Sequence, residues 1–135
     1  MENQVCLDTD IIIDYLRGRL PGAQIYAQVV TELIPSATYI TKFELLCGAS
    51  TSKEKKIIEE CLLGFKILPF DELSSKEAAR IYIDLRQRGR LIGIRDILIA
   101  GIAIANGLHI ATKNLKDFKR INRLSLWDNQ QRRED

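Results

Sequence analysis

The stretch Val5–Gly18, VCLDTDIIIDYLRG, decides the fold. Residues 5–7 are an apolar run short enough for a strand. From Asp8 the apolar residues recur at helical spacing until Gly18 closes the segment. A strand, an acid and a helix in that order open a β-α unit, whose helix carries the chain back to lay a second strand parallel to the first.

The same alternation continues outward. Pro21 opens a second helix to about residue 33, where Pro35 stops it, and residues 38–40 read as strand two. Thr41 starts a helix ending near Gly48, residues 53–63 form another with charges on one face, and residues 66–69 are strand three. Ser74 with Glu77 makes a capping box for a helix through residue 87, followed by Gly89 and a basic loop. Residues 95–106 are apolar on nearly every side and predict a centrally buried helix ended by Asn106-Gly107. Residues 108–112 are strand four, 114–118 a turn, and 123–126 a last edge strand. The expectation is one α/β domain over residues 1–128 with a mainly parallel, roughly five-stranded sheet, and a polar tail at 129–135.

Composition narrows the function classes. With 46% hydrophobic and 28% charged residues the chain reads as an ordinary globular domain rather than a disordered one. Its longest apolar run, residues 97–105, is half of what a membrane span needs, and no secretory signal opens the chain, so a cytoplasmic location is expected. Cys6, Cys47 and Cys61 lack CxxC spacing and read as buried thiols. The lone His109, in an apolar run, reads as a core or hydrogen-bonded residue, which makes a Ser-His-Asp triad and a histidine zinc site poor fits. There is no Walker loop and no dinucleotide fingerprint.

Position gives the acids their interest, because open α/β sheets bind ligands beyond the carboxyl ends of their strands. Asp8 directly follows strand one, Asp117 comes just after strand four, and Glu44 and Asp96 fall on the first turns of two helices. Each has a local alternative: Asp8 as a helix cap, Glu44 as half of a capping box with Thr41, Asp96 as complement to a helix dipole, Asp117 as a turn cap. Taken together, four converging carboxylates repel one another unless a divalent cation neutralises them, and an all-oxygen set selects Mg²⁺ or Mn²⁺ over zinc. Such a site suits phosphodiester hydrolysis. Basic residues flank it on both sides, Arg86, Arg88, Arg90 and Arg95 before, and Lys113, Lys116, Lys119, Arg120 and Arg123 after, as a polyanion would require, although charge runs on helices also serve as solvated faces. The near-balance of 20 basic and 18 acidic residues therefore conceals a segregation along the chain.

These residues together resemble the PIN-domain ribonucleases, specifically the VapC-like toxins of toxin–antitoxin pairs, over nearly the whole chain. CLDTD followed by IIIDYLRG (residues 6–18) is similar to the family's first acidic motif, and ITKFELLCGA (residues 40–49) to the second, with Glu44 as its acid. IGIRDILIAGIAIANGLHIATKNLKDF (residues 92–118) carries the third acid at Asp96, then the Thr112-Lys-Asn114 and Asp117-Phe118 elements in family order.

The resemblance implies a three-layer α/β/α sandwich and an Mg²⁺-dependent endoribonuclease in which Mn²⁺ substitutes. Asp8 and Asp96 would be the principal metal ligands and Glu44 would complete the shell. Asp117 would take the fourth acidic position, since Asn114 stands where some members carry an acid. Thr9, Thr112 and Asn114 would be supporting residues, and Arg90, Arg95, Lys113 and Lys116 would meet RNA. It also implies a homodimer and a VapB-like antitoxin whose tail enters the acidic groove. Two other readings compete. Leu7-Asp8-Thr-Asp10 also resembles the DxD start of haloacid-dehalogenase phosphatases, with Asp8 as nucleophile and Asp10 as general acid. Alternatively the domain binds without catalysis, its acids holding a partner's arginines.

Overall fold

Parallel pairing organises the molecule around its first strand. A computed structural model describes residues 4–128, so the polar tail expected at 129–135 lies outside the described residues. The strands are β1 (Gln4–Leu7), β2 (Ile34–Thr38), β3 (Lys66–Leu68) and β4 (His109–Ala111), all parallel, in the spatial order β3-β2-β1-β4. The helices are α1 (Thr9–Arg17), α2 (Gly22–Glu32), α3 (Tyr39–Cys47), α4 (Ser52–Leu62), α5 (Glu72–Gln87), α6 (Ile94–Ala105) and the short α7 (Leu115–Phe118). None is long and apolar enough to cross a membrane.

Side-chain alternation along the strands splits the core into two slabs. Val5, Leu7 and Ala111 pack against Ile11, Ile12, Val29 and Ile58 of α1, α2 and α4. Cys6 and Ile110 pack on the other face against Leu85 of α5 and Ile97 and Ile102 of α6. The result is the expected three layers. Helix α6 is central to its slab, with Ile97, Ile99, Ala100, Gly101, Ile102 and Ala103 all buried.

Gly101 sets how closely α6 approaches α5. A Cβ there would sit 2.9 Å from the Ala78 nitrogen and 2.9 Å from the Ser74 carbonyl oxygen, both main-chain atoms of α5. Gly101→Ala is expected to force the helices apart and destabilise the fold by about 1–3 kcal/mol, despite alanine's better helix propensity. A urea titration checks it, and equal or greater stability would contradict this packing.

Several boundaries differ from the sequence expectation. Strand two was expected at 38–40, but β2 begins at Ile34 and includes Pro35. The proline is tolerated because β2 pairs only with β1 at that level, its pairing with β3 starting one residue later at Ser36. Helix α3 starts before Thr41, because the Thr38 hydroxyl accepts a hydrogen bond from the Thr41 amide and so is the cap. Likewise Asp71, rather than Ser74, caps α5. Instead of a fifth strand at 123–126 there is a single parallel bridge, Ile110 to Leu126. Arg123 is drawn to Glu77 on α5, and only Ser125 to Trp127 runs alongside β4. Of the three thiols expected to be buried, Cys6 is, Cys61 is only partly buried and Cys47 is exposed.

Candidate functional site

The sheet order reverses at β1, whose neighbours are β2 on one side and β4 on the other. Between the carboxyl ends of β1 and β4 lies the crevice in which doubly wound sheets bind ligands. Asp8 stands at that point in extended backbone and caps α1, its Oδ1 accepting from the Thr9 amide at 2.8 Å. Its Oδ2 accepts from the Thr112 hydroxyl at 2.7 Å, which ties the end of β1 to the end of β4. The residue is only 5% exposed. Burial, with the charges of Asp10 and Asp96, outweighs these hydrogen bonds and pushes its carboxyl up to about 7.

The other acids arrive from three helices. Glu44 lies in the second turn of α3, where its Oε1 accepts from the Thr9 hydroxyl at 2.7 Å and its Oε2 meets Arg95 Nη1 at 2.6 Å. Thr41 Oγ1 is 2.9 Å from Thr9 Oγ1, so a line of hydroxyls supports the glutamate. Asp96, in the first turn of α6, is half-buried, and desolvation together with the Asp117 and Glu44 charges raises its carboxyl. Asn114 Nδ2 donates to Asp96 Oδ2 at 3.3 Å and to Asp117 Oδ2 at 3.1 Å. Asp8, Glu44, Asp96 and Asp117 therefore belong to one hydrogen-bonded cluster, with Thr9, Thr112 and Asn114 as its connections.

Beside this cluster Asp10 Oδ2 accepts from the Lys113 amide at 3.2 Å, while its Oδ1 is buried with no partner. Burial raises Asp10 also. One turn along α1, buried Asp14 meets Lys113 Nζ at 2.8 Å and is held below the usual carboxylate range, chiefly by that lysine. Arg120 stands 3.9 Å from Asp117 and donates to the carbonyls of Arg90 and Leu91.

Residues 5–124 match the PIN domain. The chain belongs to the PIN-domain family. Ribonuclease VapC1 of Methanocaldococcus jannaschii is 31% identical over 126 residues, covering 93% of this chain and 86% of that protein. Ribonuclease VapC1 of Rickettsia felis is 36% identical over 127 residues, covering 89% and 92% respectively. Among solved structures, VapBC-1 from nontypeable Haemophilus influenzae superposes with a TM-score of 0.80 at 30% identity, over 93% of this chain and 97% of that one.

Within this PIN domain Asp8, Glu44, Asp96 and Asp117 are linked through Thr9, Thr112 and Asn114, each acid held by its own hydrogen bonds or ion pairs. Among the described residues no three acidic, histidine or cysteine groups stand ready as a coordination shell, because hydrogen bonds and ion pairs hold the acids individually. The expectation of acids without matching cations also needs correction: Arg95 neutralises Glu44, Lys113 neutralises Asp14, and Arg120 approaches Asp117. Asp8, Asp10 and Asp96 form no ion pair among the described residues, and burial raises all three despite Lys113 beside Asp10 and Arg95 beside Asp96. The donors are all oxygen, Asp8 and Asp96 are raised chiefly by burial with neighbouring carboxylates adding to it, and beside them Asp10 Oδ1 is buried without a partner, a chemistry that fits a hard divalent cation.

Of the four cations expected to meet RNA, Arg90 and Lys116 are exposed, whereas Arg95 and Lys113 are engaged with acids. The Asp14–Lys113 pair and the support from Thr41 were absent from the sequence reading. Asp14 shares a helix face with Asp10, the one local signal that could have drawn attention to it.

Proposed function

We propose that this PIN domain is an endoribonuclease, the toxin of a VapBC-type toxin–antitoxin pair, that hydrolyses RNA phosphodiester bonds with Mg²⁺, Mn²⁺ substituting. The observation that carries this reading is the convergence of Asp8, Glu44, Asp96 and Asp117 on the β1/β4 crevice, with burial and repulsion raising Asp8 to about 7. The ribonuclease names of the relatives and the paired VapBC assembly of the structural neighbour support it.

Asp8, Asp96 and Glu44 would hold the cation, and Asp117 would complete the set. When bound, such an ion polarises a phosphoryl oxygen and lowers the pKa of water. The chain's own residues orient the parts. Thr112 fixes Asp8 Oδ2, Asn114 holds Asp96 and Asp117 through one amide, and Thr9 with Thr41 fixes Glu44. Arg95, whose side chain is 67% exposed, is free to turn from Glu44 to a phosphate, and Arg90 and Lys116 extend the basic border. Water attacks phosphorus, the bond to the 3′ oxygen breaks, and the products are a 5′ phosphate and a 3′ hydroxyl.

The partner side of the reading rests on a groove of about 300 Å³ leading to Glu44, lined by Ile13, Leu16, Leu45, Ile57 and Ile58. It suits an antitoxin segment with apolar residues and an arginine for the acidic end. Exposed Tyr39 and Phe43, one turn apart on α3, offer apolar surface for a second copy in a homodimer.

The test is cleavage of RNA by purified protein with Mg²⁺, with Mn²⁺ and with chelator. Metal-dependent cleavage leaving 5′ phosphates is expected, and intact RNA under both metals would refute the reading. In the same assay Asp10→Asn is expected to remain partly active, since Asp10 is not among the acids assigned to the cation and the asparagine carbonyl can still accept from the Lys113 amide. A phosphatase using Asp8 and Asp10 would instead hydrolyse a phosphomonoester and lose that activity entirely in this variant.

A further inference from the structure

Three consecutive residues after β4 each reach different acids. Thr112 donates to Asp8 at 2.7 Å, the Lys113 amide donates to Asp10 at 3.2 Å, and Asn114 donates to Asp96 at 3.3 Å and Asp117 at 3.1 Å. Residues 112–114 belong to no helix or strand, so side-chain ties fix their path. A further tie lies outside the acid cluster. Lys113 sends its ammonium to Asp14 Oδ2 at 2.8 Å, and the Gly22 amide, at the start of α2, donates to the same oxygen at 3.0 Å.

This seat is closely built. The Asp14 side chain is 6% exposed, and a Cβ on Gly22 would fall 2.4 Å from Asp14 Oδ2. Gly22 is therefore required by the close approach of α2 to α1. Asp10 and Asp14 are one turn apart on α1, and Lys113 spans them with its amide on one and its ammonium on the other. A lysine that left this seat for a phosphate would abandon a buried anion, which is strongly disfavoured.

We infer that Lys113 is a positioning residue, locked by Asp14 so that Thr112 and Asn114 hold Asp8, Asp96 and Asp117, and is not a contact for RNA. The inference rests on the nuclease reading for its kinetic consequence, but its structural content stands apart from it. Residues that orient metal-binding side chains typically change activity by about 10- to 100-fold. Phosphate contacts act differently: each one contributes about one unit to the dependence of log affinity on log salt.

Lys113→Met, Asp14→Asn and the double variant are compared with wild type in three measurements. In RNA cleavage with Mg²⁺, each single variant is expected to lose about 10- to 100-fold in kcat with KM within about threefold, and the double variant to be no worse than the poorer single. In RNA binding without metal, the salt slope of Lys113→Met is expected to equal that of wild type. Hydrogen exchange at the amides of Lys113 and Asn114, which donate to Asp10 and Thr112, is expected to accelerate in Asp14→Asn.

A salt slope smaller by about one with unchanged kcat in Lys113→Met would overturn the proposal, as would wild-type exchange at both amides in Asp14→Asn. Melting curves identify a variant that fails to fold, and Lys113→Met, altering the half-exposed partner, then carries the exchange measurement alone. If wild type cleaves no RNA, the nuclease reading falls, and amide exchange still decides whether Lys113 and Asp14 fix the loop.

Discussion

Asp8→Asn and Asp96→Asn are each expected to slow RNA cleavage by on the order of 10³-fold or more, equivalent to about 4 kcal/mol of transition-state stabilisation. Asparagine nearly preserves the shape at both positions. In Asp8→Asn the remaining carbonyl oxygen still accepts from the Thr9 amide, and the new amide can donate to Thr112 Oγ1. The side chain loses its charge, and with it the ability to hold a cation against phosphate. Single-turnover cleavage under saturating Mg²⁺ measures the effect free of product release. Wild-type rates in both variants would remove these residues from the site. A loss confined to KM would instead mark them as binding groups with no part in the transition state.

The same Asp8→Asn change is expected to stabilise the metal-free protein, most strongly above pH 7. Asp8 titrates at 3.8 when unperturbed and is pushed to about 7 in the fold. Between those values the native state keeps a proton that the unfolded chain has released, so stability falls as pH rises through the interval and levels off above it. The whole difference corresponds to at most about 4 kcal/mol. Burial raises Asp10 and Asp96 too, adding to the same slope. Asp14, Glu54, Asp71 and Glu77 are held low by their partners and act oppositely, losing stabilisation only as pH falls through their depressed values. Wild type in chelator should therefore melt at highest temperature near pH 4 to 5 and decline toward pH 7, and Asp8→Asn should flatten the decline. Mg²⁺ at 100 times its Kd would restore about 2.7 kcal/mol to wild type. An Asp8→Asn protein that melts below wild type at pH 8, with the same pH slope, would show that the buried charge is not under strain.

Strong local signals made much of this fold legible, and placed the residues of the candidate site. Asp8 could be placed because an apolar run ends on it, and α6 because its residues are apolar all round. Position near a strand or helix end then brought Asp96, Glu44 and Asp117 into consideration. What escaped was set by distant partners. Thr41-Lys-Phe-Glu44 has the form of a capping box, but Thr38 caps the helix instead, which moves Glu44 to the second turn and leaves it available to Thr9 and Arg95. Pro35 looks like a strand breaker until β2 is known to be single-sided at that residue. Lys113 looked like one more cation in a basic run, because nothing local announces a buried aspartate on α1 that only the β1/β4 pairing brings within reach.

That pairing also governs when the site comes into being during synthesis. β1 emerges first, yet Val5 aligns with His109, and Asp8 is fastened by Thr112. A ribosome that has translated only through α6 has made Asp8, Glu44 and Asp96 but neither β4 nor the loop that orients them. Domains generally fold as units as they emerge, and here the unit is incomplete until residue 117 is free. Under the proposed nuclease reading, a chain paused after α6 already carries three of the acids but not the loop that arranges them, so the order of synthesis separates the carboxylates from their alignment.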